Sequence, residues 1–268
     1  MNVYDKWQTV RMNNDRAETF ADIVATELPL TIMINGEEFA TIVCSPTNLD
    51  ELALGFLAAE GVIRRVDDVS SLQVDEKRGF VYVELTKHLD NMHVDHSKRF
   101  IGSCCGKSRQ FYFKSDVQTA RTVQHNLTID ATQCLHLIRL LHERSTFFKQ
   151  TGGVHNAALC TKEGLLEVRT DIGRHNALDK LYGYMLRHET TPHNKVIAFS
   201  GRISSEVLLK VSKMNVAVII STSAPTSLAL QLAEDLHITT IGFAREQSMN
   251  IYTHAERIKE ANDSVLES

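Results

Sequence analysis

No run of apolar residues in this sequence approaches the length needed to span a bilayer; the purest, Val216 to Ile220, is the size of a single strand. Nor does the chain open on a basic segment followed by an apolar core, since Met1-Asn2-Val3-Tyr4-Asp5-Lys6 has neither, so no secretory signal or membrane anchor is expected at this end. Cysteine is scarce and odd in number: five residues, at 44, 104, 105, 134 and 160, without CxxC spacing. That pattern argues against a disulfide scaffold or a cysteine-rich zinc module and favours reduced thiols in the cytoplasm. There is no Walker loop and no GxGxxG, and positive charge is not in excess. A net charge of −4 makes broad nucleic-acid binding unexpected, while local basic patches remain able to hold a phosphorylated ligand. What is present is ordinary globular composition, 43% hydrophobic and 23% charged, in 268 residues, enough for one large domain or two.

The first part reads as α+β. Thr31 to Ile34, Asn35-Gly36 and Phe39 to Val43 predict a hairpin with a primed turn. Asn48 with Glu51 predicts a capping box for a helix whose Leu49, Leu52, Ala53, Phe56 and Leu57 share a face, with Gly61 as its stop. Val81, Val83 and Leu85 mark a further strand, and Thr86 to Ser97 a surface connection. Arg99 to Arg109 fits neither periodicity and is expected as an exposed loop. One helix is predicted from about Asp130, its cap, to Lys149, ended at Thr151-Gly152-Gly153. Beyond it, strands at 157–160, 166–170, 196–199, 216–220 and 239–243 alternate with helices at 177–187, 203–214 and 227–236. The series implies a largely parallel sheet covered by helices. We divide the chain into an N-terminal α+β segment, 1–125, including the cysteine loop, and an α/β domain, 126–268, carrying a ligand crevice.

Two constellations carry chemistry. The first is Cys104-Cys105. Adjacent Cα atoms lie about 3.8 Å apart, too close for an unstrained disulfide between them. Nearby Lys107 and Arg109 favour the nucleophilic thiolate, and Gly102 and Gly106 would let the loop move. Unreactive packing is the competing reading for this pair, and the expected one for Cys44, Cys134 and Cys160. The second constellation is a set of loops after strands: Ser200-Gly201-Arg202, Ser221 to Thr226, and Ala244-Arg245. In an open α/β sheet these should converge at one edge, where helix N-termini and arginines favour phosphate. Ordinary helix caps and solvated arginines are the alternative. Asp171 to Asn176 offers two readings, the lining of a polar site or caps for the following helix, and composition favours capping; His155 reads as a structural histidine.

With these residues assembled, the sequence resembles the formate dehydrogenase accessory sulfurtransferase family, FdhD. The likeness is carried by Leu52 to Gly61, the cysteine loop, Thr151 to His155, Asp171 to Lys180, Ser200 to Glu206, Ser223 to Ala229 and Ile241 to Arg245. It implies an α/β domain similar to the three-layer cytidine deaminase fold, preceded by the smaller α+β segment. It also implies a cytoplasmic sulfur carrier that takes persulfide from a cysteine desulfurase and delivers sulfur to the molybdenum cofactor, bis-molybdopterin guanine dinucleotide, before insertion into formate dehydrogenase. Deamination is disfavoured: His155 is followed by Asn156 and Ala157, and no Pro-Cys-x-x-Cys pair provides zinc ligands, so no metal site is expected.

Against the family pattern Cys-Gly-x-Cys, Cys105 takes the first cysteine position and Ser108 the second. Cys105 is therefore the implied persulfide carrier, with Cys104 an auxiliary or alternative thiol. The family's cofactor-contacting segment falls on Phe243, Ala244, Arg245, Glu246, Gln247 and Ser248, and Arg202 joins it as a phosphate ligand. Two rival readings are a cofactor-binding chaperone without covalent sulfur transfer and a nucleotide hydrolase using the same crevice. A homodimer is the default on base rate alone.

Overall fold

The computed structural model of the chain describes residues 2–86, 99–101, 120–124 and 127–266. The connection expected over 87–97 and the cysteine loop from Gly102 to Arg109, with Cys104 and Cys105, lie outside the described residues.

The chain opens on a two-stranded antiparallel ribbon, β1 (Tyr4–Asn13) and β2 (Arg16–Ala25). A five-stranded sheet follows, built from β3 (Leu28–Ile34), β4 (Glu37–Cys44), β5 (Val69–Asp75), β6 (Phe80–Leu85) and β7 (Arg99–Ile101), in the order β5-β6-β3-β4-β7. Asn35 and Gly36 both adopt positive φ, 49° and 84°, and join β3 to β4 as the sequence predicts. Residues 99–101, expected in a loop, instead pair in parallel with β4.

Helix α1 (Leu49–Ala59) lies where expected and stops at Gly61, whose φ is 78°. Its start differs. Asn48 is left-handed and makes no side-chain cap, because Glu51 is committed elsewhere: its carboxylate is buried against Arg169, whose Nη2 donates to Oε1 at 2.8 Å.

The second unit contains α2 (Ala131–Arg144), α3 (Thr146–Thr151), β8 (His155–Cys160), β9 (Leu165–Asp171), α4 (Arg174–Arg187), β10 (Val196–Phe199) and α5 (Ser205–Lys213). It continues through β11 (Val218–Ser221), α6 (Ser227–Asp235), β12 (Thr239–Arg245), β13 (Ser248–Thr253) and α7 (Lys259–Leu266). The six-stranded sheet has the order β13-β12-β11-β10-β8-β9. Only β10-β11-β12 are mutually parallel; the other pairings are antiparallel, so the sheet is mixed rather than largely parallel. The last strand is β13, which turns straight back from β12.

Every residue of β10 and β11 is buried, which requires cover on both faces of the sheet. Helices α4, α5 and α6 pack in sequence against one another, while α2 contacts the strands from β8 to β12. The single helix expected up to Lys149 is two helices. Ser145 breaks it, donating from Oγ to Leu141 O and accepting from Asn156 Nδ2 at 3.0 Å. Among the described residues, no helix is long and apolar enough to cross a membrane.

Two hydrophobic clusters result, one under the first sheet and α1, one around the second sheet. They meet where α1 crosses α4. Gly55 and Gly183 let the backbones touch there: a β-carbon on Gly55 would sit 1.7 Å from Asp179 O, and one on Gly183 1.9 Å from Glu51 O. Beside this crossing lies a buried polar lock. Lys180 Nζ lies 2.7 Å from Asp171 Oδ2 and also donates to Ser45 O and Thr47 Oγ1, each at 3.1 Å. Asp171 accepts in turn from Ser45 N, Gly173 N and Asn176 Nδ2. Both charges are fully buried, and hydrogen bonds from both units satisfy them.

Candidate functional site

The strand-end edge of the second sheet assembles as the loop reading predicts. Ser221 Oγ donates to Gly201 O at 2.7 Å, and Ser223 Oγ and Thr222 Oγ1 donate to Ser200 O at 3.1 and 3.3 Å. Ile203 N donates to Ala224 O and Thr226 N to Ile203 O, so the first two loops are stitched together by backbone. The third joins through Phe243 N, which donates to Ser223 O at 3.2 Å. Gly242 permits this approach, since a β-carbon there would meet Pro225 Cδ at 2.9 Å.

The segment from Phe243 to Ser248 forms the tip of the β12–β13 hairpin. Arg245 pairs with Ser248 across Glu246 and Gln247, and a bulge falls between Gly242 and Arg245. Phe243 sits in that bulge at φ 52°, 43% exposed, while Ala244 is buried beneath it. Bulges at sheet edges re-aim side chains, and here the bulge holds an aromatic ring outward beside the other loops. Arg202 and Arg245 are exposed at the same edge.

Helix N-termini also gather there. Ser204 caps α5 by accepting from Val207 N, and Thr226 caps α6 by accepting from Ala229 N. Each side-chain cap satisfies one of the orphan N–H groups of its helix, which leaves the dipole and the remaining donors facing the edge. The cap and phosphate readings of these loops are thus compatible.

Three residues join the edge that sequence reasoning did not place in it. The β8–β9 hairpin runs antiparallel beside β10, which brings the start of β8 and the end of β9 to the carboxyl end of β10. His155 stands next to Asn156, whose N donates to Ser200 Oγ at 2.9 Å. Arg174 and His175 open α4, and a β-carbon on Gly201 would lie 3.1 Å from Arg174 Cβ. Gly173, not Asp171, occupies the cap position of this helix; the Asp171 carboxylate belongs to the interunit lock. The signal that could have found these residues was the hairpin itself, because an antiparallel pair returns both its ends to one edge.

The electrostatics of the edge are cationic with neutral imidazoles. Burial, then Lys210, Arg174 and His155, hold His175 down to about 3. Its Nε2 lies 3.4 Å from Glu206 Oε2, and with the ring neutral this is a weak polar contact rather than an ion pair. His155 is lowered by burial, with Arg174 and Arg202 adding to it against the pull of Asp171. Among the described residues, no hydrogen-bond partner meets the buried His175 Nδ1 or Arg174 Nε. Deeper in, burial pushes Asp179 up to about 6 although Lys210 Nζ lies 2.5 Å from its Oδ1. An edge of guanidinium donors, hydroxyls, helix N-termini and one outward ring suits an anionic ligand with a planar group.

Cys44, Cys134 and Cys160 are fully buried, and burial pushes each thiol up to about 12, so these three are packing residues. No cluster of His, Cys, Asp and Glu suited to a metal ion occurs among the described residues.

A family model described as "FdhD/NarQ family" matches residues 25–259. The "Sulfur carrier protein FdhD" of Geobacillus kaustophilus (strain HTA426) is 56% identical over 248 residues, covering 92% of this chain and 94% of that protein. Its namesake from Bacillus subtilis (strain 168) is 52% identical over 258 residues, covering 96% of this chain and 97% of that one. The fold matches the crystal structure of a putative formate dehydrogenase accessory protein from Desulfotalea psychrophila, with a TM-score of 0.80 at 24% identity over 96% of this chain and all of that one. Spanning nearly the whole chain in both sequence and fold, these matches show that it belongs to the FdhD/NarQ family.

Proposed function

We propose that the chain is a cytoplasmic sulfur carrier for formate dehydrogenase maturation, with Cys105 as the persulfide-bearing residue and Cys104 as an auxiliary thiol. The Cys105 thiolate attacks the terminal sulfur of a cysteine desulfurase persulfide. A new S–S bond forms at Cys105 Sγ, the donor S–S bond breaks, and the donor cysteine leaves as thiolate, so the exchange is redox-neutral. The sulfur's destination is the molybdenum cofactor in its bis-molybdopterin guanine dinucleotide form, bound as substrate before its insertion into the dehydrogenase.

The observation that carries this reading is the convergence of Arg202, Arg245, the Phe243–Ser248 tip and two capped helix N-termini at one sheet edge. It is supported by relatives named as sulfur carriers along almost their whole length. Such an edge fits a dinucleotide: guanidinium groups and helix N-termini for pyrophosphate, the exposed Phe243 ring for a base. Arg174 adds a third guanidinium.

Mass spectrometry after incubation with a cysteine desulfurase and cysteine tests the proposal. The expected result is a gain of one sulfur on the peptide holding Cys104 and Cys105, removable by reductant, and lost in Cys105→Ser. Sulfur uptake by Cys105→Ser at the normal level would refute the assignment. A Cys104→Ser/Cys105→Ser variant that still activates formate dehydrogenase would instead establish a cofactor chaperone without covalent transfer.

A further inference from the structure

The polar groups of the strand-end edge are spread unevenly along it. The sheet order β12-β11-β10-β8 sets Phe243 and Arg245 at one end, Arg202 after β10, and His155 at the start of β8. At about 4.8 Å per strand, three steps separate β12 from β8 by about 14 Å. The start of α4 continues the edge on the β10 side, since a β-carbon on Gly201 would meet Arg174 Cβ at 3.1 Å.

Two successive side chains there carry polar atoms that the protein leaves unmatched. Among the described residues, His175 Nδ1 and Arg174 Nε are buried and have no hydrogen-bond partner. Buried polar groups in folded proteins are nearly always paired, so two exceptions in a row call for a partner from outside the chain. The two atoms differ in kind. The Glu206 carboxylate, 3.4 Å from His175 Nε2, can only accept, which puts the hydrogen of the neutral ring on Nε2 and leaves Nδ1 as a lone-pair acceptor. Arg174 Nε is a donor. Phosphate does not suit such a pair, because its oxygens would face the Nδ1 lone pair. A heterocycle with an N–H beside a carbonyl oxygen does.

We infer that the α4 end of the edge is a pterin subsite, in which His175 Nδ1 accepts an N–H of the pterin's pyrimidine ring and Arg174 Nε donates to the neighbouring carbonyl oxygen. The inference rests on the cofactor reading above and gives it a direction. In a molybdopterin guanine dinucleotide the pyrophosphate lies between guanosine and pterin, and here Arg202 lies between Phe243 and the start of α4. Guanine has the same amide edge as pterin. The exposed Phe243 ring, on the side of the capped α5 and α6 N-termini, claims the guanosine diphosphate half, which leaves the α4 end to the pterin. His175 then determines specificity, and Glu206 is a positioning residue that fixes its tautomer.

The full chain, the fluorescent and uncharged 6-hydroxymethylpterin, and guanosine diphosphate test this, with pterin read by fluorescence and the nucleotide by calorimetry. The wild type is expected to bind both at once, each affinity unchanged within about twofold by saturation with the other. His175→Phe keeps a flat ring and removes the acceptor, so it should weaken pterin binding about tenfold or more and leave guanosine diphosphate within about twofold. His175→Asn, whose side-chain oxygen reaches the Nδ1 position, should restore pterin binding to within about threefold of the wild type. With guanosine diphosphate bound by the wild type, an absence of pterin binding, competition between the two ligands, an unaltered His175→Phe, or a His175→Asn no better than His175→Phe would overturn the inference and leave the cofactor reading standing. A wild type that binds neither ligand would overturn both.

Discussion

Replacing Gly55 with alanine sets two physical effects against each other with opposite signs. In an isolated helix, Gly→Ala stabilises by roughly 1 kcal/mol. Within α1, the added β-carbon would lie 1.7 Å from Asp179 O and 2.7 Å from Gly183 N. Both are backbone atoms of α4 and cannot rotate aside, so the helices must part by roughly 2 Å to reach ordinary contact distance. That movement loosens packing along the whole crossing and pulls on Glu51–Arg169 and the Asp171–Lys180 lock beside it. Overpacking of this kind costs about 3 kcal/mol, the upper end of the usual range, because nothing at the contact is flexible. Subtracting the propensity gain leaves a net loss of about 2 kcal/mol. For a chain of this size that lowers the melting midpoint by about 4–8 °C. Thermal and urea unfolding followed by circular dichroism read it directly. A midpoint equal to or above the wild type would show that local propensity governs and that the crossing is not close-packed. Gly183→Ala, 1.9 Å from Glu51 O, should act alike, and the double variant should lose less than the sum because one separation relieves both clashes.

Three further outcomes follow from the polar groups. Asp171→Asn leaves the Lys180 ammonium buried beside a neutral amide and should cost about 3–5 kcal/mol in urea unfolding; Lys180→Met with Asp171→Asn should recover part of it. His175, held near 3 in the fold, is neutral there while an ordinary unfolded histidine takes up a proton near 6.5. The unfolded state therefore binds more protons between those values, and the His175 contribution to stability, full at pH 7, falls as pH drops toward 3. The stability difference between wild type and His175→Gln should shrink over that window, and one that is flat with pH would refute the buried neutral ring. Arg202→Ala and Arg245→Ala should each weaken binding of guanosine diphosphate about tenfold in calorimetry, with a reduced salt dependence.

Where local chemistry and tertiary context agreed, the fold was legible from sequence. Asn35-Gly36 dictates its turn because both residues tolerate positive φ, and β10 and β11 read as strands because burial on both faces makes them continuously apolar. Legibility failed where a distant partner decided the outcome. Glu51 looked like a capping residue until Arg169 claimed it, and the helix after Asp130 breaks at Ser145 because Asn156 bonds its hydroxyl. The β1–β2 ribbon shows no alternating burial, since most of its residues are exposed and only a few, most of them near its base, are partly covered among the described residues. At the edge, Arg202 and the loops after the parallel strands were readable from topology. His155, Arg174 and His175 were not, since their placement depends on the antiparallel β8–β9 hairpin.

The run from Thr170 to Lys180 serves both the lock and the edge. Asp171 and Lys180 grip Ser45 and Thr47 of the first unit, and Arg174 and His175 between them open onto the strand-end loops. The two units are consequently not interchangeable modules. A chimera that grafts the first sheet of one relative onto the second sheet of another keeps its edge intact only if residues 43–47 and 170–180 travel together, whatever else is exchanged.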